Sequence, residues 1–134
     1  MIIDTDDIAT AIGQHLLTLS PAIPVVWDGM DIPPGMAHPF LIFDFIPSEP
    51  VDNTLNGSFE RQTGFAAIAV MTKPGEFASD GRKIGMRIKD LFPYAKKFAI
   101  TGGNVTINSP SHVSQGYPDG PHFRTPVRIF YSVQ

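Results

Sequence analysis

Proline and glycine set the strongest limit on what this chain can fold into. Thirteen prolines and twelve glycines stand among 134 residues, well above their usual combined share of about 12%. Both residues interrupt regular backbone, and here they cluster between short apolar runs. Only two stretches between the breaks carry a helical period. In the first, Thr5 is a candidate N-cap, and Asp6 and Asp7 suit the positive end of a helix dipole. Ile8, Ile12, Leu16 and Leu19 then draw one apolar stripe that stops at Ser20-Pro21. In the second, Ile84, Ile88 and Leu91 form the stripe of a helix from about Ser79 to Phe92, stopped by Pro93. Gly85 lies inside that helix at a cost of about 1 kcal/mol relative to alanine, which points to something packed close against it.

The remaining apolar runs alternate. Residues 22–29, AIPVVWDG, read as a short extended segment, and FLIFDFI (40–46) as a strand whose Leu41, Phe43 and Phe45 face the core. A polar loop over 47–57 leads into a long strand from about Ser58 to Met71, in which Gly64 marks a bulge or bend. KFAITGGNVTINS has the form of a hairpin about Gly102-Gly103. A loop over 110–121 precedes a last strand in which Phe123, Val127, Ile129, Tyr131 and Val133 share one parity. Pro126 in that strand argues for an edge position or a bulge. Helix, strands, helix, strands, with sequential hairpins and one strand–helix–strand passage, predicts an α+β fold: a mostly antiparallel, mixed sheet with two helices packed on one face. The length suits a single domain spanning residues 1–134.

Composition narrows the function. The chain carries ten scattered Lys and Arg and a net charge of −3, so it lacks the basic footprint of a nucleic-acid binder. With no cysteine, disulfides, thiolate nucleophiles and cysteine-ligated metals are excluded. MIIDTDD has acids where a secretory signal needs bases, and no run approaches the roughly 20 apolar residues of a membrane span. A protein made and used inside a cell is the expectation. For the same reason the Asn56-Gly57-Ser58 and Asn104-Val105-Thr106 sequons carry no weight.

The strand-to-helix junction VMTKPGEFASDGRK (70–83) is where chemistry would sit if there were any. It fails as a phosphate loop, because five residues separate Gly75 from Gly81 where the motif has four, and Arg82-Lys83 stand in the Lys-Ser/Thr positions. Phe77-Ala78-Ser79-Asp80-Gly81 comes nearer to a nucleophile elbow but has phenylalanine in place of the first glycine. A small serine hydrolase would use Ser79 with His112 or His122. On the structural alternative Ser79 caps the helix, Asp80 faces its positive end and Gly81 lets it approach the sheet. His15, His38, His112 and His122 show no metal-binding spacing, and Asp4, Asp6 and Asp7 lack a calcium-loop pattern. His15 reads as a boundary residue of the first helix and Trp27 as a core anchor. No catalytic residue, metal ligand or cofactor is expected.

The order of features does resemble a known family. An amphipathic helix ending near a proline is followed by P-x-I-P-x-x-W, here Pro21 to Trp27 with Asp28-Gly29 after it. Then come HPFLIFDFIPSEP, the segment Gly64 to Gly75, Leu91-Phe92-Pro93 closing a helix, a hairpin, and a final strand of the type P-V-x-I-x-Y-x-V within Thr125 to Val133. In order and spacing, over nearly the whole chain, this is similar to the small tail-terminator proteins of long-tailed bacteriophages and prophages. One departure is that Glu76 and Phe77 follow Gly75, where relatives often carry a small-residue loop.

The resemblance implies a structural protein and no enzyme. It implies a homo-oligomeric ring, typically a hexamer, that caps the tail tube, stops its polymerisation and offers the surface on which the head is joined. Its partners would be copies of itself, the tail tube protein and a head-completion or connector protein, with neither a membrane nor a sequence-specific nucleic acid among them. It would act in the bacterial host cytoplasm during virion assembly and reside at the head-proximal end of the tail. Another head–tail completion or minor tail protein is the neighbouring alternative. Long loops in compact domains are often functional, so loops 47–57 and 110–121 are expected to carry contacts. The candidate interface residues are Asp52, Asn53, Phe77, Arg82, Lys83, Tyr117 and Asp119.

Overall fold

A computed structural model of the chain describes residues 5–20, 22–48, 51–52, 60–75 and 77–133. In chain order the elements are α1 (Thr5–Leu16), β1 (Val25–Val26), β2 (Phe40–Pro47), β3 (Val51–Asp52), β4 (Glu60–Thr72), α2 (Ala78–Leu91), β5 (Lys97–Ile100), β6 (Gly103–Ile107), β7 (His112–Val113), β8 (Tyr117–Asp119) and β9 (His122–Val133). The fold is α+β, as the alternation predicted. The strands form a mixed sheet in the order β1-β2-β4-β9-β6-β5. β1 runs parallel to β2, and every other pairing is antiparallel.

One face of the sheet carries both helices. Ile8, Ile12 and Leu16 of α1 and Ile88 of α2, with Phe92 just after it, pack on Leu41, Phe43, Ile68, Val70, Val127, Ile129 and Tyr131, all essentially buried. The ladder requires this grouping. Leu41 pairs with Val70 and Phe43 with Ile68, while Ile68 pairs with Val127 and Ala66 with Ile129, so each set points to the same side. The other face is not bare. Phe40, Ala69 and Met71, with Val26, form a second, smaller cluster against which Met36 and Ile42 pack.

The helices meet through α1's His15, whose Nε2 lies 2.8 Å from the carbonyl oxygen of Leu91. A carbonyl can only accept, so His15 donates from Nε2 and satisfies one of the orphan acceptors at the end of α2. Its ring also stands edge-on to Phe92 at 5.0 Å. The boundary role expected of His15 therefore has a definite partner.

Several local expectations are corrected. Thr5 is itself the first helical residue, so it is not the cap. Ser79 does not cap α2 either: the N-cap is Phe77, which makes no side-chain cap bond, and Ser79 lies in the first turn. Gly64 marks no bulge. The register runs unbroken past it on both sides, Gly64 pairing with Pro47 and with Tyr131. A β-carbon there would fall 2.6 Å from the Ile46 carbonyl oxygen and 2.7 Å from the Tyr131 hydroxyl, so glycine is needed for close approach.

Pro126 sits at the centre of the sheet, not at its edge. Its carbonyl accepts from the Ser114 amide at 2.8 Å, and a strand residue's nitrogen and carbonyl face the same neighbour. The missing donor therefore faces residues 114–116, between the end of β7 and the start of β8, where no ladder bond is lost. The stretch 110–121 is no open loop, since β7 and β8 lie within it and both pair with β9.

Candidate functional site

The junction of β4 and α2 is built around three close approaches. β4 ends at Thr72, Gly75 turns the chain with φ of +85°, and Phe77 starts the helix. α2 then lies tight on the sheet because Gly81 faces the Thr125 side chain and Gly85 faces Val113 and Val127, so that a β-carbon at Gly85 would sit 2.9 Å from Val113 Cγ1. Gly116 meets the same Thr125 hydroxyl from the β8 side. That hydroxyl is buried and has no hydrogen-bond partner among the described residues. Both helical glycines thus do the packing that their positions suggested.

This geometry separates the expected interface residues into two groups. Phe77 is 82% exposed, and Arg82 and Lys83 are exposed on the second turn of α2. Thr125 brings them to the same end of the molecule as β8, which carries the half-exposed Tyr117 and Asp119. Asp119 pairs with Arg124 at 2.8 Å on the surface, a kind of contact worth little to stability. Asp52 lies elsewhere. It pairs with Glu60 at the start of β4, a strand length of about 40 Å from Thr72 at the rise of about 3.3 Å per residue. Asn53 and Glu76 lie outside the described residues.

The hydrolase arrangement is not assembled. Val113 faces α2, so strand alternation turns His112 to the opposite face of the sheet from the helix that carries Ser79. His122 Nδ1 lies 2.7 Å from His38 Nε2, and its ring stands edge-on to Phe40 in the cluster away from the helices. Among the described residues no group of three or more His, Asp or Glu side chains is placed to hold a metal, and no helix is long and apolar enough to cross a membrane.

A second feature escaped the sequence reading. A groove of about 550 Å³ runs between α1 and the start of the sheet. Ala9 and Gly13, one turn apart on α1, form its small-residue wall, and Leu17, Trp27, Phe43 and Phe45 supply apolar surface. Trp27 is not a core anchor. It is 37% exposed and presses on Gly13, where a β-carbon would lie 2.9 Å from its ring, and it stands edge-on to Phe43 at 5.5 Å. The Ala9–Gly13 pair was the available signal.

Carboxylates line the groove. Asp28 accepts from the Phe45 amide at 3.2 Å. Beside it, burial raises the pKa of Asp44 above its ordinary 3.8, and the Asp28 carboxylate raises it further, against a smaller lowering by Arg124. An acid whose folded pKa is raised binds its proton more tightly in the native state. Its contribution is therefore full below the unfolded value and is lost as pH rises through the folded one. Asp44→Asn is thus expected to raise the melting temperature at pH 7, with the gain vanishing below about pH 4. A thermal scan across that range checks it, and an equal gain at both ends would contradict this origin.

Compared with known proteins, residues 7–131 match the profile of the family described as "Phage tail terminator protein". The chain belongs to the phage tail terminator family. It is thereby a phage tail structural protein, and the resemblance seen in its motif order holds. No curated protein matches it in sequence. Among solved structures it is similar to a protein of unstated function at a TM-score of 0.79 and 20% identity, with 99% of this chain and 97% of that one covered. It is also similar to a chain from the virion of a native gene transfer agent particle, at a TM-score of 0.60 and 14% identity, covering 96% and 94% respectively. At such identities these likenesses speak to the fold.

Proposed function

We propose that this tail terminator closes into a homo-oligomeric ring, six copies in the family pattern, on the last ring of tail tube subunits. There it ends tube polymerisation and presents the surface to which the head is joined. The match to the terminator family over residues 7–131 carries this reading. The likeness of its fold to a chain of a gene transfer agent virion supports it. The whole chain acts as one domain with a structural role and no reaction to catalyse. Its partners are the tail tube protein on one side and a head-completion or connector protein on the other. It assembles in the host cytoplasm and stays at the head-proximal end of the tail.

Deleting the gene from its parent phage or prophage, inducing the lysate and imaging it by negative-stain electron microscopy tests the proposal. Overlong, headless tails are expected. Tails of normal length with heads attached would remove the reading. Normal-length tails without heads would instead make the protein a head–tail completion component.

A further inference from the structure

Two unlike features of the surface fit one another. The first is Phe77, the most exposed large apolar side chain among the described residues at 82%. It stands at the tip of the turn made by Gly75, its backbone extended at φ −68° and ψ 136°. Exposed Lys73, Arg82 and Lys83 lie near it in sequence and outnumber the acids Glu76 and Asp80. At 82% exposure the ring contributes little to packing inside its own subunit.

The second is the groove beside α1. Its floor of Trp27, Phe43 and Phe45 offers ring faces and edges, the geometry that a further aromatic ring packs against. At about 550 Å³ it falls in the size range that takes up a ring with the backbone on either side. Asp6 and Asp28 line it, and no lysine or arginine does. Knob and groove are therefore complementary in polarity, and the excess of bases near the one meets only acids in the other.

They cannot meet within one chain. The turn bearing Phe77 follows Thr72, beyond Met71, which pairs with Phe40 at the start of β2. The groove lies where β2 reaches Phe43 and Phe45, and Phe45 pairs with Ala66. Phe43 pairs with Ile68, so four to six residues of strand, about 13–20 Å, lie between. Matching patches at opposite ends of a subunit join copies head to tail, the heterologous contact that closes into a ring when the rotation allows.

We propose that the subunit contact is Phe77 of one copy seated in the Trp27–Phe43–Phe45 groove of the next, with the Lys73/Arg82/Lys83 side facing Asp6 and Asp28. This rests on the ring reading above and specifies which surfaces make the ring. The occupant is a second copy of this chain, and the contact weakens as salt rises because its flanks are ionic and near the surface.

The absence of cysteine makes the test direct. Copies carrying Ala78→Cys, which keeps the Phe77 ring, are mixed with copies carrying Leu17→Cys, both exposed positions, and treated with a short bis-maleimide at concentrations where glutaraldehyde joins the wild-type protein. A covalent dimer is expected in the mixture and absent from either variant alone. In sedimentation, Phe77→Ala is expected to weaken self-association by at least about tenfold, as loss of an aromatic anchor does, with an unchanged melting temperature. Glutaraldehyde ladders without the 78–17 link would overturn this contact and leave the ring standing. Monomers throughout, in solution and on purified tails, would overturn the ring reading and this contact with it.

Discussion

Gly64→Ala is expected to destabilise the protein by about 3 kcal/mol or more, the upper end of what overpacking does. The added carbon would lie 2.6 Å from the Ile46 carbonyl oxygen, 2.9 Å from Pro47 Cα and 2.7 Å from the Tyr131 hydroxyl. Two of these atoms are backbone of the adjacent strand, so no rotamer change relieves them. Tyr131 cannot yield either, being buried at 1% exposure with its ring stacked on Phe45 at 5.3 Å. Burial pushes its phenol up to about 12, so it stays neutral and adds no charge to the conflict. The remaining way out is to part β2 from β4 where their ladder ends, at the Pro47–Gly64 pair. Against a total stability of about 5–15 kcal/mol, that loss is large. A urea denaturation midpoint within error of wild type would show that the strands have room the geometry denies.

Phe92→Ala is the other large change, expected to cost about 3–5 kcal/mol. Phe92 is fully buried and is the C-cap of α2, its amide donating to the Lys89 carbonyl. Its ring touches His15 at 5.0 Å and Phe98 of β5 at 6.1 Å. The same residue thus closes one helix, steadies the donor from the other and underlies the outer hairpin. Beyond the global loss, faster amide exchange in α1 and β5 is expected, because the void opens between them. Phe92→Leu should recover more than half the loss. If exchange in α1 stays at the wild-type rate, Phe92 does not join the two helices.

The long periodic elements were legible in the sequence for a simple reason: their signal is local. Ile8, Ile12 and Leu16 reveal α1, and the alternation from Thr125 to Val133 reveals the buried face of β9. What was missed depends on distant partners. His112–Val113 and Tyr117–Asp119 are too short and too close to proline and glycine to announce strands, and only their pairing with β9 makes them so. Pro126 misled because a central proline is tolerated only where its neighbour strand is broken, a property of residues 114–116 and not of Pro126. Ser79 misled by two residues, since the cap position is Phe77. The groove joins α1 to residues 27–45, and three elements must be in place before Trp27 is seen to be half outside the core. Phe77 was legible as an anomaly, but its exposure needed the fold.

The position of β9 also bears on how the chain comes into being. β9 is the neighbour of β4 on one side and of β6, β7 and β8 on the other, yet it is synthesised after all of them. Until it emerges, β4 has an open, strongly apolar edge, the template on which strands of other chains pair. Both halves of the sheet are therefore made before the strand that lies between them, and only the translation of β9 joins them together.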